Sequence, residues 1–362
     1  MSMEPLGVAI IGAGGISVAH AESFGQFGDR VKVMAFSDVD LDRAKARAGQ
    51  YNAPIAVTDY SELLARDDIH ILAICSPPFH HLQTITDGLS AGKHVLCEKP
   101  IVLNLAELDR VQKFVDETGL TFAGAFQWRF GTSVQQAKDL YDNGMFGKVV
   151  YATNTMHWHR TQDYFDVDWR HTWAKSGGGI IFTLACHGMD ALMYILGDIE
   201  AVSAEMDALK YNIEIEDTGS VIMRFQNRAI GAINATVNAQ KQRSVLEVIG
   251  TKLEAISSDD PYCVAYEPWQ FRSIDAEYEK LVHEFLSRQH YTHVPAGHQR
   301  LVKDFVEAIW EKRQPKINID EIRKSLQVLT AIFKSNRLGR RIELPIQRDD
   351  PFYASLNPKS HS

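Results

Sequence analysis

The chain has 362 residues, room for about two domains. It is 45% hydrophobic and 23% charged, as ordinary globular proteins are. A net charge of −8 gives nucleic acid and anionic membranes nothing to attract, so neither is expected as a partner. The four cysteines, Cys75, Cys97, Cys186 and Cys263, make no CxxC pair and no zinc spacing. Cys75, Cys97 and Cys186 lie in apolar runs and read as small core residues in a reducing cytoplasm.

The opening MSMEPLGVAIIGAGG runs into an apolar strand without a basic stretch or a cleavage site, so no signal peptide is expected. Leu6–Ile11 reads as a strand buried on both faces. Gly12–Ser17 (GAGGIS) follows at once and opens a helix that runs to about Gly28. Strand, glycine turn and helix together are the context in which such a motif binds a dinucleotide. Gly12 permits the tight turn, and Gly14 lets the backbone approach a pyrophosphate at the helix N-terminus. Gly15 and Ile16 continue the candidate cofactor site, and Ser17 stands where a third glycine is usual. Val31–Phe36 is the second strand. It ends at Asp38, where an acid would accept hydrogen bonds from an adenosine ribose and repel a 2′-phosphate. NAD is therefore expected and NADP disfavoured; the competing role for Asp38 is to cap the helix near Leu41.

The alternation continues with strands near Ile55–Val57, Ile69–Cys75, His94–Cys97 and Thr121–Ala125, separated by helices, the longest at Leu105–Thr118. Such alternation predicts a doubly wound parallel sheet, a Rossmann domain over residues 1–125. Ser76-Pro77-Pro78 and Glu98-Lys99-Pro100 break two strands at their carboxyl ends, where open α/β sheets bind ligands. Lys99 there would lie beside a nicotinamide; the bland alternative is a surface lysine paired with Glu98.

The pattern changes after Phe126. A helix near 133–143 leads into a long strand, Gly147–His159. Successive strands without helices follow from Ala201 to Ser257, which predicts an open, mostly antiparallel sheet. Helices near Ala296–Lys312 and Asp320–Leu338 close a second domain over residues 126–345, and 346–362 reads as a loosely held tail. His157 and His159, two apart on a strand, face one side. With no third ligand at recognisable spacing, they do not make a metal site, and none is expected. Arg160, Tyr164, Trp169 and Arg170 follow, a polar-aromatic segment suited to a polyhydroxylated ligand.

Gly177–Asp190 (GGGIIFTLACHGMD) is an apolar helix carrying Thr183, His187 and Asp190 at i, i+4 and i+7. Its length and central polar residues argue for a core helix, not a membrane span. Taken alone, His187 there is more simply a hydrogen-bonded core histidine.

GAGGIS, AICSPPFHH (Ala73–His81), AGKHVLCEKP (Ala91–Pro100), AFQWRF (Ala125–Phe130) and GGGIIFTLACHGMD, in this order, resemble the glucose–fructose oxidoreductase / inositol dehydrogenase (Gfo/Idh/MocA) family. The resemblance spans about Val8 to Pro345. It implies a Rossmann domain, an α/β domain with an open sheet, bound nicotinamide cofactor, sugar or polyol chemistry, and homodimers or homotetramers made through that sheet. It adds Ser76, Pro77, His81, Glu98, Lys99 and Gln127 to the cofactor residues. It makes Lys99, Trp128, Arg129, His157, His159, Arg160, Tyr164, Trp169, Arg170, Thr183 and His187 the substrate residues. His187 is then the expected general base and Lys99 the group that stabilises the alkoxide. Family members often carry Asp four residues before the histidine, where this chain has Thr183. The departure keeps redox-neutral use of retained NAD (glycoside cleavage, oxidoisomerisation or sugar dismutation) and a non-catalytic NAD sensor as alternatives to a dehydrogenase.

Overall fold

The computed structural model describes residues 5–262, 264–265, 268–289, 291 and 297–361. Six short strands make the first sheet: β1 (Leu6–Ile11), β2 (Val31–Ser37), β3 (Ile55–Val57), β4 (Ile71–Ile74), β5 (His94–Cys97) and β6 (Phe122–Gly124). Every pairing is parallel and the order is β3-β2-β1-β4-β5-β6. The apolar runs explain this: all of β1 and β4 is buried, as strands covered on both faces must be. The order reverses between β1 and β4, which puts a ligand crevice at the carboxyl ends of those strands.

The chain forms two compact units. The first runs to Phe126 and takes in His298–Arg323 from far along the sequence; the second comprises Gln127–Gly297 and the residues from Lys324. A division at residue 125 does not anticipate that return.

The second unit holds an eight-stranded sheet of β7 (Val149–His159), β8 (Ile199–Asp207), β9 (Thr218–Phe225), β10 (Ile230–Thr236), β11 (Asn238–Gly250), β12 (Glu254–Ile256), β13 (Gln270–Arg272) and β14 (Ile342–Glu343). The order is β13-β12-β11-β7-β10-β9-β8-β14; β7 and β10 run parallel and the other neighbours antiparallel. Along β7, Ala152, Asn154, Met156 and Trp158 are buried and alternate with half-buried Tyr151, Thr153, Thr155 and His157. The Cys186–Leu196 helix lies on the buried face. Gly188 allows the close approach, since a Cβ there would sit 2.3 Å from the Asn154 side chain, and Asn154 donates to the Ala185 carbonyl at 3.0 Å. The opposite face carries Ile222, 61% exposed, and Ile230, 40% exposed.

Trp173–Leu196 is long and apolar enough to cross a membrane by composition alone, yet 83% of its most apolar window is buried inside the protein. Cys75, Cys97 and Cys186 are free thiols in the core, while Cys263 lies outside the described residues. The end of the chain differs from expectation. Asp350 caps a short helix, Pro351–Ala354, and Phe352, Tyr353 and Leu356 are buried, so this segment is packed where a loose tail was expected. The Ala276–Ser287 helix and the short strands β13 and β14 add to the elements expected from the sequence.

Candidate active site

At the end of β1 the chain turns through Gly12 at φ +98°, and a Cβ there would lie 2.7 Å from the Cys75 carbonyl and the Ser76 nitrogen. Only glycine fits both demands. Above Gly14 and Gly15 there is open space, and the Gly15–Gly25 helix starts with no side-chain cap and no acid in its first turn. Such a helix start attracts an anion to its amide N–H groups. Asp38 stands at the end of β2, where its carboxylate accepts from the Ala13 N–H at 2.8 Å and meets Arg43 at 3.3 Å. It does not cap the helix near Leu41; Asp40 does that. Ser76 keeps a buried hydroxyl with no partner among the described residues. These features fit a dinucleotide: a glycine turn, an uncapped helix start, an acid at ribose distance along the chain and an orphaned hydroxyl.

His81 ties two strand-end loops together, with its ring nitrogens 2.8 Å from the Ser76 and Pro100 carbonyls. Burial pushes its pKa down against those bonds. Beside it, Glu98 is the centre of a buried cluster. Its Oε1 meets His20 Nε2 at 2.9 Å and His298 Nε2 at 3.2 Å, and its Oε2 accepts the Lys99 N–H at 3.3 Å. Burial alone would raise the Glu98 pKa; the two histidines outweigh it and hold the carboxyl well below the usual range. Glu98 therefore helps to fix the loop that carries Lys99. The three residues offer donor atoms within 4.8 Å of one another, and their hydrogen bonds account for that closeness.

In the second unit, the glycines of GGGIIFTLACHGMD have separate causes. Gly177 ends the Trp173–Ser176 turn at φ +78°. A Cβ on Gly178 would strike Phe182 and Phe333, and one on Gly179 would strike the Glu216 backbone at 1.9 Å. Glu216 reaches back, accepting from the Gly179 N–H at 2.8 Å and the Ile181 N–H at 3.0 Å. Complete burial pushes its pKa up to about 7. Ile181–Ala185 is a π-helical turn, a form concentrated at functional sites. It interrupts the line of polar residues expected from an unbroken α-helix.

The three polar residues of this segment do three different things. Thr183 donates to the Gly179 carbonyl at 2.7 Å. His187, 7% exposed, stacks on Trp128 with ring centroids 5.4 Å apart at 21°. Asp190 is fully buried and takes Arg129 through both oxygens, Nε at 2.7 Å and Nη2 at 2.6 Å, plus the Ser325 hydroxyl at 2.7 Å. Arg129, expected to bind substrate, is thus engaged beneath the helix. Trp128 is buried, and the Gln127 amide oxygen is buried with no partner among the described residues.

The polar-aromatic segment separates into two places. Tyr164, Trp169, Arg170 and Thr183 line one small cavity, with the Arg170 guanidinium 4.3 Å from the Tyr164 ring centre and 5.0 Å from that of Trp169. Arg160 lies over Tyr164 at 5.3 Å and over Trp158 at 4.7 Å. His157 and His159 do share a face, but it is the face turned away from the His187 helix. His157 pairs across β11 with Arg243, and exposed His159 meets the Ala239 carbonyl at 3.2 Å. The period of two on a strand is the cause: Asn154, Met156 and Trp158 take the helix side. Neither histidine is set beside His187.

Comparison with known proteins supports the same reading. Residues 6–126 match the model of an oxidoreductase family with an NAD-binding Rossmann fold, and residues 134–255 match that of a GFO/IDH/MocA C-terminal domain. The chain is 30% identical to the oxidoreductase YrbE of Bacillus subtilis over 69% of its own length and 73% of the relative's. It is 30% identical to the myo-inositol 2-dehydrogenase of Thermotoga maritima over 68% of its length and 73% of that protein. Its fold superposes on the WlbA dehydrogenase from Bordetella pertussis, solved with NADH and UDP-GlcNAcA. That match has a TM-score of 0.83 at 26% identity and covers 96% of this chain and 100% of the other.

Proposed function

Because the chain belongs to the Gfo/Idh/MocA family of NAD-binding oxidoreductases, we propose that it is an NAD-dependent dehydrogenase acting on a secondary alcohol of a sugar, sugar acid or cyclitol. The observation that carries this reading is His187, a titratable ring held flat on Trp128 by a helix that Asp190 anchors from below. Bound NAD would supply the hydride acceptor. His187 takes the proton from the substrate hydroxyl, a task suited to imidazole near neutral pH. Lys99 stabilises the oxygen as it gains charge. Its place at the end of β5 is fixed by Glu98, which is itself fixed by His20 and His298. Thr183 spends its proton on the Gly179 carbonyl, so toward a substrate hydroxyl it accepts. Asp190 is committed to Arg129 and Ser325, and His187 works without a carboxylate from its own helix.

Asp38 supports NAD over NADP, since a 2′-phosphate beside it would set like charges together. The exposed sheet face bearing Ile222 and Ile230 supports self-association as a homodimer or homotetramer. The test of the activity is direct. Purified protein is mixed with NAD and a panel of cyclitols, aldoses, aldonates and uronates, and reduced nicotinamide is followed by its absorbance. Turnover with a member of the panel, cut about a hundredfold or more by His187→Ala, is the expected result. Tight NAD binding with no net reduction would move the reading to redox-neutral use of retained NAD or to a sensor. Unchanged turnover in His187→Ala would remove the assigned base.

A further inference from the structure

We infer that the substrate carries an anionic substituent, a carboxylate or a phosphate, received by Arg170, which lines one small cavity with Tyr164, Trp169 and Thr183. This rests on the dehydrogenase reading and narrows it to acidic sugars. Arg170 makes no ion pair among the described residues, and its Nε is buried without a hydrogen-bond acceptor there. Leaving a charged donor buried and unpaired costs free energy that a bound acceptor would recover. The acids nearby in sequence do not supply it. Asp168 holds Lys175, Asp166 takes the Gln162 amide, and Asp163 is exposed and not within ion-pair distance of Arg170. The Tyr164 and Trp169 rings instead lie within cation–π distance of the guanidinium, contacts that use no N–H donor and leave its donors for an anion.

A second cation reinforces the first. Arg160 stacks over the same Tyr164, and its Nη1 donates only to neutral acceptors: the His159 carbonyl, Gln242 and the Tyr262 hydroxyl. Two guanidinium groups therefore bear on one tyrosine ring, and neither makes an ion pair among the described residues. Thr183 is the remaining wall of this cavity, and it stands where the resemblance leads one to expect Asp. A carboxylate there would face Arg170 across the cavity. With Thr183 in its place, the charge that answers Arg170 comes from the ligand.

The test uses the NAD-loaded full chain and matched ligands that differ only in charge: D-glucose against D-glucuronate, D-galactose against D-galacturonate, and D-glucose 6-phosphate. Affinity is read by titration calorimetry, so the result does not depend on turnover. At least one acid should bind about ten- to a hundredfold tighter than its neutral partner, with a margin that shrinks as salt rises. Arg170→Gln should erase that margin, weakening the acid about ten- to a hundredfold more than its neutral partner. Thr183→Asp should erase it too, by pairing Arg170 internally, and this variant keeps the test sound should Arg170→Gln fold poorly. A preference confined to the phosphate ester identifies the anion as a phosphoryl group. Equal affinity for acid and neutral sugars, or an equal loss of both in Arg170→Gln, overturns the inference. Failure of the dehydrogenase reading is seen separately, as acid-selective binding without any reduced nicotinamide.

Discussion

Removing Asp190 should cost the second unit more than any surface change. Its carboxylate receives three donors at 2.6–2.7 Å in complete burial, two of them from the Arg129 guanidinium, which is itself 4% exposed. In Asp190→Ala that guanidinium keeps its charge and loses two short charge-assisted acceptors, and the Ser325 hydroxyl loses its acceptor. Breaking a buried pair from one side costs about 3–5 kcal/mol. For a unit of this size each kcal/mol lowers the melting temperature by roughly 2–4 °C, so a fall of about 6–20 °C is expected in scanning calorimetry. The double variant Arg129→Met with Asp190→Leu should recover much of that loss, since both members of the buried pair are then replaced by apolar groups. A melting temperature within about 2 °C of the parent for Asp190→Ala would refute the anchoring role given to this pair.

Glu216 makes the stability of the second unit depend on pH. Its folded pKa, about 7, lies above the ordinary 4.5, so the folded state holds the proton longer than the unfolded chain. Stability should therefore be full below about pH 4.5 and fall by about 3 kcal/mol as pH rises to 7. Denaturant titrations should show Glu216→Gln removing that slope; a slope that persists assigns it elsewhere. Asp38→Ala should weaken NAD binding roughly ten- to a hundredfold and narrow the gap to NADP, measured by fluorescence titration. Unchanged selectivity would mean that Asp38 does not read the ribose. Ile222→Glu should shift light-scattering mass toward the monomer if the exposed sheet face is the contact. An unaltered mass would remove that face from consideration.

The first unit was legible because its signals are local. A buried strand, a glycine turn and an acid at the end of the next strand are read within Leu6 to Asp38, and the structure keeps them together. What could not be read depends on partners distant in sequence. His298 reaches Glu98 across 200 positions, and Ser325 reaches Asp190 across 135. No spacing rule announces either one. The π turn at Ile181–Ala185 is also silent in the sequence, because its apolar residues fit an α-helical period equally well. The strand period correctly put His157 and His159 on one side but does not say which side meets the helix. The end of the chain looked loose because Phe352, Tyr353 and Leu356 form no periodic run, yet each is buried. The Ala276–Ser287 helix, by contrast, had a readable start in Asp275, whose side chain accepts from the Glu277 and Tyr278 amides.

The late return of His298–Arg323 bears on the order in which the protein can mature. The Gly124 N–H donates to the Ile317 carbonyl, Trp310 packs edge-on against Phe27 and under the Arg30 guanidinium, and His298 completes the Glu98 cluster. All of Gln127–Gly297 is synthesised before any of these partners exists. A nascent chain that has just released Phe126 from the ribosome has every strand of its nucleotide-binding sheet, but an uncovered Phe27 and a carboxylate short of one histidine. The first unit of this protein to be begun is thus among the last to be finished.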